Sequence, residues 1–274
     1  EPTELTEGIA MLESWGLKVK LAKNLYKQNG RYDGTLEERI AATQELLDNP
    51  NIKAMIASRG GYGATQVVGK LDFTKFMKNP KWVVGYSDIT AFHIVLNNLG
   101  VESIHGTMMN KMSDAVTVQS LHDALFGTRS GITINTNSNC LTGEAEGRLV
   151  GGNLSLIYSM EGTVLDLNTK NAILFIEDTG EANYAIDRML QSLMLAGKLD
   201  NIRGIVVGQF IDTNNSGGRD LPVPDIIKSK LNGRSIPMMY YINVGHDQTN
   251  YSLYLGRKIH LKVGGTQSNF EYEN

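Results

Sequence analysis

The chain contains 274 residues, of which 41% are hydrophobic and 20% are charged, as in ordinary soluble globular proteins. Its net charge of −3 and its lack of a basic tract argue against nucleic acid or an anionic membrane as partner. No apolar run approaches the roughly 20 residues of a membrane helix, and we expect no signal peptide. Cys140 is alone and the five histidines lack metal-ligand spacing, so we expect no disulfide, no metal, no cofactor and a cytoplasmic location.

The first half of the chain alternates predicted helices and strands, which indicates a parallel α/β sheet. A doubly wound domain normally begins with a strand, so we expect one more strand upstream of residue 1. The predicted elements are, in order, a helix over 4–16, a strand over Leu17–Ala22, a helix over 35–49, a strand over 53–58, a helix through Val67 and Val68, a strand over 82–84, a helix over 88–100, a strand over 101–106 and a helix over 113–126.

The pattern changes near residue 127, where short alternating runs are broken by Asn, Ser and Gly. We therefore predict a Rossmann-like N-terminal domain over 1–128 with a mostly parallel sheet, a linker over 129–150, and a smaller β-rich α/β C-terminal domain over 151–274. The predicted elements of that domain are a helix over 151–160, a strand over 172–176, a helix over 186–196, a strand over 205–210, a helix over 223–231, a strand over 238–244 and a hairpin over 252–263.

Ser87 lies on a predicted strand-to-helix turn, Gly85-Tyr86-Ser87-Asp88. Such a turn exposes the hydroxyl group and places it at a helix N-terminus, where free N–H groups stabilise negative charge. This is the geometry of a nucleophile elbow, although the usual G-x-S-x-G spelling is absent. Taken alone, the stretch favours the other interpretation, an N-cap serine followed by a first-turn carboxylate.

Three further segments follow predicted strands and are expected at the same edge of a sheet. The glycine-rich loop Ser58–Gly63 can supply an oxyanion N–H, with Asp88 supplying another, although it is also an ordinary tight turn. One carboxylate of the pair Glu177-Asp178 can orient a histidine, or the pair can cap a helix. His246 follows a glycine and can act as a general base, or it can be a lone surface or core histidine.

Seven motifs, in this order, together resemble the LD-carboxypeptidase family of serine peptidases, which includes muramoyltetrapeptide carboxypeptidases and microcin C self-immunity peptidases. The resemblance covers nearly the whole chain. The motifs are Ser58–Gly63 (SRGGYG), Gly85–Thr90 (GYSDIT), His105–Gly106 (HG), Gly151–Leu154 (GGNL), Phe175–Glu181 (FIEDTGE), Gly208–Phe210 (GQF) and Gly245–His246 (GH).

The resemblance implies a triad of Ser87 as nucleophile, His246 as base and Glu177 as orienting acid. It implies an oxyanion hole made by the N–H of Asp88 and of a glycine in the Gly60–Gly61 pair. It also implies an active site between two domains, no metal, and a homodimer.

The implied reaction is serine-dependent hydrolysis of the bond between an L-diamino acid and D-alanine in a peptidoglycan tetrapeptide, with a small muropeptide as substrate. Two alternatives stay open at this point. One is a microcin C-type hydrolase of peptidyl or aminoacyl nucleotides, and the other is a non-catalytic peptide-binding module. The choice between lysine and diaminopimelate as the diamino acid is also open.

Overall fold

The computed structural model describes residues 2–215 and 217–273. Its described helices are α1 (Thr6–Ser14), α2 (Leu36–Asp48), α3 (Ala64–Val68), α4 (Thr74–Lys78), α5 (Thr90–Asn98), α6 (Ala115–Leu125), α7 (Leu154–Met160), α8 (Asn183–Leu195) and α9 (Val223–Ser229). Its described strands are β1 (Ala54–Ile56), β2 (Trp82–Gly85), β3 (Ser103–His105), β4 (Gly131–Asn135), β5 (Gly143–Asn153), β6 (Ile173–Thr179), β7 (Gly204–Ile211), β8 (Met238–Tyr240), β9 (Leu253–Leu255), β10 (Lys258–Val263) and β11 (Gln267–Tyr272).

The described strands form two sheets. The four-stranded sheet has the order β1-β2-β3-β9, in which β1, β2 and β3 are parallel and β9 is antiparallel to β3. The seven-stranded sheet has the order β4-β11-β10-β5-β6-β7-β8, with β5 to β8 parallel and the other pairs antiparallel. The predicted mixed α/β class, with a mostly parallel N-terminal sheet and a β-rich C-terminal part, is confirmed.

Helix α5 connects the two sheets through the core. Its residues from Thr90 to Asn97 are all buried, whereas an ordinary surface helix buries only one stripe. Its apolar side chains belong to the same buried cluster as Val83 of β2 and Leu174 of β6. The start of α5, which follows Ser87, is therefore held firmly between the two sheets.

The predicted hairpin over residues 252–263 is wrong. Its first half is β9, which pairs with β3 in the four-stranded sheet, and its second half is β10, which pairs with β5 and β11 in the other sheet. Where the chain passes from β9 to β10, Gly256 donates its N–H to Leu149 O, and the Arg257 guanidinium pairs with Glu102 at 2.6 Å. All three residues of β9 are fully buried, which an exposed two-stranded hairpin could not achieve.

The predicted strand over Leu17–Ala22 is also wrong, since these residues form no described strand. A strand needs a hydrogen-bonding neighbour, and the nearest sheet edge is β1. A cavity of about 530 Å³ is lined by both Leu17–Ala22 and β1, so the two segments lie apart. Leu17 and Leu21 are correspondingly exposed.

The range 129–150 contains β4 and most of β5. Strand β5 runs for 11 residues and extends to Asn153, so α7 begins three residues later than the sequence suggests. Four glycines interrupt the side-chain alternation of β5, namely Gly143, Gly147, Gly151 and Gly152, which makes the segment resemble a loop.

Candidate active site

Ser87 occupies a sharp turn between β2 and α5. Its φ is +59°, in the left-handed region that non-glycine residues seldom adopt, and a 3-10 turn over Ser87–Ile89 follows at once. Gly85 makes the turn possible, because a Cβ there would approach the Ile89 side chain to 2.7 Å. Strained backbone of this kind is concentrated at functional sites, and here it directs one serine out of the fold.

The glycine loop lies directly against this serine. A Cβ added to Gly60 would stand 3.7 Å from Ser87 Cβ and 3.8 Å from its Oγ, whereas a Cβ at Gly61 would face open space. The loop is tied to the serine turn by Asp88, whose Oδ2 accepts the N–H of Ala64 at 2.8 Å. Burial raises the pKa of Asp88, although the N–H groups of Ala64 and Gly63 oppose the rise.

Glu177 and His246 form a close pair. Glu177 lies near the carboxyl end of β6 and is completely buried, and its Oε2 is 2.7 Å from His246 Nδ1. Burial favours the neutral form of Glu177, but the facing imidazoles of His105 and His246 outweigh it and lower its pKa. Burial likewise lowers the pKa of His246, but the hydrogen bond and charge of Glu177 raise it overall. This is how a carboxylate orients an imidazole and stabilises the imidazolium.

An irregularity in the sheet makes room for this pair. Between β6 and β7 the register shifts, so that Gly208 and Gln209 together face the single residue Glu177. A Cβ on Gly208 would meet Glu177 Cβ at 2.9 Å, and a Cβ on Gly245 would meet Glu177 Oε2 at 3.1 Å. Bulges beside active sites commonly redirect a side chain in this way.

Two amides hold the loop that carries His246. Gln209 accepts the N–H of Asp247 at 3.0 Å and donates to Thr249 O at 3.1 Å. Asn250 accepts the N–H of Gly245 at 3.1 Å. Gln209 lies in the GQF motif, which by itself does not indicate this role, and Asn250 lies in none of the seven motifs. The sequence does show a glutamine on a strand that is otherwise apolar, and such a buried amide needs hydrogen-bond partners in a polar segment such as the 245–250 loop.

The serine turn and the histidine loop meet at Tyr86. This residue precedes Ser87 in the chain, and its ring contacts the His246 imidazole edge-to-face, with centroids 4.9 Å apart. Within the described chain, no hydrogen bond joins Ser87 to His246. Catalytic hydrogen bonds are often long without substrate and tighten when it binds. The structure thus brings the predicted Ser87, Gly60, Asp88, Glu177 and His246 into one region, from two different sheets.

Asp178 points away from this region, because successive residues of a strand face opposite sides of the sheet. Its Oδ2 accepts the N–H and the hydroxyl of Ser155 at 2.9 and 2.8 Å, and its Oδ1 accepts Asn153 Nδ2 at 2.9 Å. Burial raises its pKa to about 6. Of the acidic pair, one carboxylate faces the histidine and the other supports the start of α7.

The described residues show neither a metal-binding cluster nor a membrane-spanning helix. No group of three or more His, Cys, Asp or Glu side chains among residues 2–215 and 217–273 is arranged to hold a metal ion. Over the same residues, no helix has the length and apolar character needed to cross a membrane.

Comparison with known families agrees with this geometry. The model of the LD-carboxypeptidase N-terminal domain matches residues 1–106, and that of the LD-carboxypeptidase C-terminal domain matches residues 146–261. The chain belongs to the LD-carboxypeptidase family. The resemblance noted in the sequence is thereby confirmed, and the family places the protein among the carboxypeptidases, which are hydrolases.

Individual LD-carboxypeptidase relatives cover nearly the full chain. A probable murein peptide carboxypeptidase of Bacillus subtilis is 33% identical over 267 residues, which span 94% of this chain and 84% of the relative. The microcin C7 self-immunity protein MccF of Escherichia coli is 26% identical over 287 residues, covering 92% and 83%. The crystal structure of muramoyltetrapeptide carboxypeptidase from Oxalobacter formigenes superimposes with a TM-score of 0.89 at 27% identity, covering 100% of this chain and 96% of that one.

Proposed function

We propose that this carboxypeptidase is a serine enzyme that releases D-alanine from peptidoglycan tetrapeptides by cleaving its bond to an L-diamino acid. The observation that carries the proposal is the 2.7 Å contact between Glu177 Oε2 and His246 Nδ1. The contact leaves His246 Nε2 available as a base, and the adjoining Tyr86 brings the strained Ser87 turn to the same imidazole.

In the proposed reaction, Ser87 Oγ attacks the scissile carbonyl carbon while His246 Nε2 takes the hydroxyl proton. The tetrahedral oxyanion accepts hydrogen bonds from the N–H of Asp88 and of a glycine in the Gly60–Gly61 pair. One such donor contributes roughly 3–4 kcal/mol to the transition state. The C–N bond then breaks, and the D-alanine amine leaves with the proton from His246. Water, activated by the same imidazole, hydrolyses the acyl-enzyme and restores Ser87.

The substrate class is supported by the names of two relatives, the murein peptide carboxypeptidase of B. subtilis and the muramoyltetrapeptide carboxypeptidase of O. formigenes. The less similar E. coli relative is a microcin self-immunity protein, which keeps a peptidyl-nucleotide substrate as the second candidate. Both substrates would use the same serine chemistry, so the distinction lies in the leaving group.

The direct test is release of D-alanine from a synthetic tetrapeptide, measured by chromatography, for the wild type and for Ser87→Ala. We expect the variant to fold as the wild type does and to lose at least about 10³-fold in kcat, as triad variants do. Turnover at the wild-type rate by Ser87→Ala would disprove the assignment. Faster hydrolysis of an aminoacyl sulfamoyl adenosine than of the tetrapeptide would favour the second candidate.

A further inference from the structure

His105 is a completely buried histidine that the proposed triad does not use. It is the last residue of β3, and neither ring nitrogen has a hydrogen-bond partner within residues 2–215 and 217–273. Its Nε2 lies 3.9 Å from Glu177 Oε1. That oxygen also lacks a hydrogen-bond partner in the described part of the chain. Two unpaired polar atoms therefore face each other inside the protein.

Aromatic rings surround His105. Its ring packs edge-to-face on Phe175 at a centroid distance of 5.0 Å, and the rings of Tyr86 and His93 lie 6.1 and 6.0 Å away. His93 is already engaged, since its two nitrogens lie 2.9 Å from Ser103 Oγ and from Gly85 O.

A buried carboxylate is costly unless both oxygens are satisfied, and an unmet buried partner carries a penalty of its own. The His246 bond satisfies Oε2 of Glu177 and leaves Oε1 bare. A small movement of either side chain brings the His105 Nε2–H within hydrogen-bond range of Oε1, and it satisfies both atoms at once. A carboxylate held at both oxygens cannot rotate away from the histidine that it orients.

We propose that His105 is a positioning residue of this enzyme, which donates Nε2–H to Glu177 Oε1 and thereby keeps Oε2 on His246 Nδ1. The proposal rests on the proposed function for its catalytic consequence, but the hydrogen bond that it invokes belongs to the resting protein and can be tested without turnover. The proposed hydrogen bond also connects the two sheets. His105 belongs to the four-stranded sheet, which carries Ser87, and Glu177 belongs to the seven-stranded sheet. The base is thus held in place by the sheet that carries the nucleophile.

The test compares His105→Leu, which removes the donor, with His105→Gln, which keeps an N–H donor on a side chain of similar reach. His260→Leu is the matched control, because it makes the same change on an exposed residue of β10. Each variant is followed by thermal unfolding, by proton NMR of the His246 Nδ1–H over a pH series, and by kcat and KM for the tetrapeptide.

For His105→Leu we expect an upfield shift or loss of the Nδ1–H resonance and a titration of His246 closer to the ordinary histidine range. We expect kcat to fall about tenfold, equivalent to about 1.4 kcal/mol, with KM little changed. His105→Gln should restore the resonance and most of kcat, and His260→Leu should match the wild type.

An unchanged Nδ1–H resonance and titration in a folded His105→Leu variant would overturn the proposal, even if its melting temperature falls. Failure of His105→Gln to restore the resonance that His105→Leu loses would overturn it as well. Because the NMR readout needs no turnover, this outcome is separate from the Ser87→Ala test, which decides the proposed function.

Discussion

Glu177 Oε2 and His246 Nδ1 are 2.7 Å apart, although 69 positions separate the two residues in the chain. Glu177 lies on the seven-stranded sheet and His246 on the loop that runs from its edge strand β8 to β9, whereas Ser87 follows a strand of the four-stranded sheet. The acid and the base thus come from the seven-stranded sheet and the loop that leaves it, and the nucleophile comes from the four-stranded sheet. The proposed reaction therefore depends on how precisely the buried helix α5 holds the two sheets together.

The first prediction concerns the pH dependence of turnover. Because the base must be neutral and Glu177 raises the pKa of His246 above its ordinary value of 6.5, kcat/KM should fall as pH decreases through a value above 6.5. Glu177→Gln removes the negative charge, so the acidic limb of its residual activity should move to lower pH. A pH profile of kcat/KM for both proteins checks this, and an unmoved limb in the variant would contradict it.

The second prediction concerns stability. The lowered pKa of Glu177 stabilises the fold above the ordinary value of 4.5, and this contribution is lost as pH falls through the folded-state value. The raised pKa of His246 stabilises the fold below 6.5, and this contribution is lost as pH rises through its folded-state value. The pair should therefore contribute most between these two ordinary values.

Urea unfolding of the wild type and of His246→Phe, carried out near pH 5.5 and near pH 9, measures this contribution. The free energy lost in the variant should be larger at the lower pH. An equal loss at both pH values would show that the ion pair does not contribute as described.

The third prediction separates the two acidic neighbours. Glu177→Gln should lower kcat by about 10³–10⁴-fold, because a neutral amide at this position favours the wrong imidazole tautomer. Asp178→Asn is the matched control, since that side chain supports Ser155 at the start of α7 and does not face His246. It should lower the melting temperature and leave kcat close to the wild-type value. Equal losses of kcat in the two variants would contradict the assignment.

The fourth prediction tests how closely the glycine loop approaches the nucleophile. A methyl group at Gly60 would stand 3.2 Å from Met108 Cε and 3.8 Å from Ser87 Oγ. The flexible methionine can move, so Gly60→Ala should fold, while the methyl group crowds the reacting carbonyl and lowers kcat/KM about tenfold.

Gly69→Ala provides the matched control, because its methyl group would meet another flexible side chain, Leu165, at the same 3.2 Å but at the end of α3. Steady-state kinetics should show a loss for Gly60→Ala only. Wild-type kinetics in the Gly60→Ala variant would indicate that substrate does not pass this face of the loop.

The fifth prediction concerns the strain at Ser87, whose φ is +59°. Alanine retains the Cβ that makes this conformation unfavourable, whereas glycine adopts it freely. Ser87→Gly should therefore be more stable than Ser87→Ala by roughly 0.5–1 kcal/mol, after allowance for the greater flexibility of the unfolded glycine chain. Denaturant unfolding of both inactive variants measures the difference. A more stable alanine variant would show that the turn is not strained.

Local features of the sequence predicted local structure well. The capping box of Thr35 and Glu38 starts α2 as expected, and the apolar face of α8 is buried at Met189, Leu190 and Leu193. Errors arose where a segment's partner is distant. Strands β9 and β10 look like a hairpin because the turn between them is short. However, β9 pairs with β3 and β10 pairs with β5, both more than a hundred residues earlier in the chain, and the second neighbour of β10 is the following strand β11.

The sequence by itself determined which elements alternate, that a serine stands on a strand-to-helix turn, and which family supplies the likeness, because these follow from short-range patterns and ordered motifs. The residues alone left both acids of Glu177-Asp178 open and the family resemblance implied Glu177, but only the tertiary structure shows that Glu177 faces His246 and Asp178 does not, since adjacent strand residues look alike until the sheet has two different sides. It also revealed the buried His105 beside that acid, for burial and an unpaired nitrogen are properties of packing and have no sequence signature.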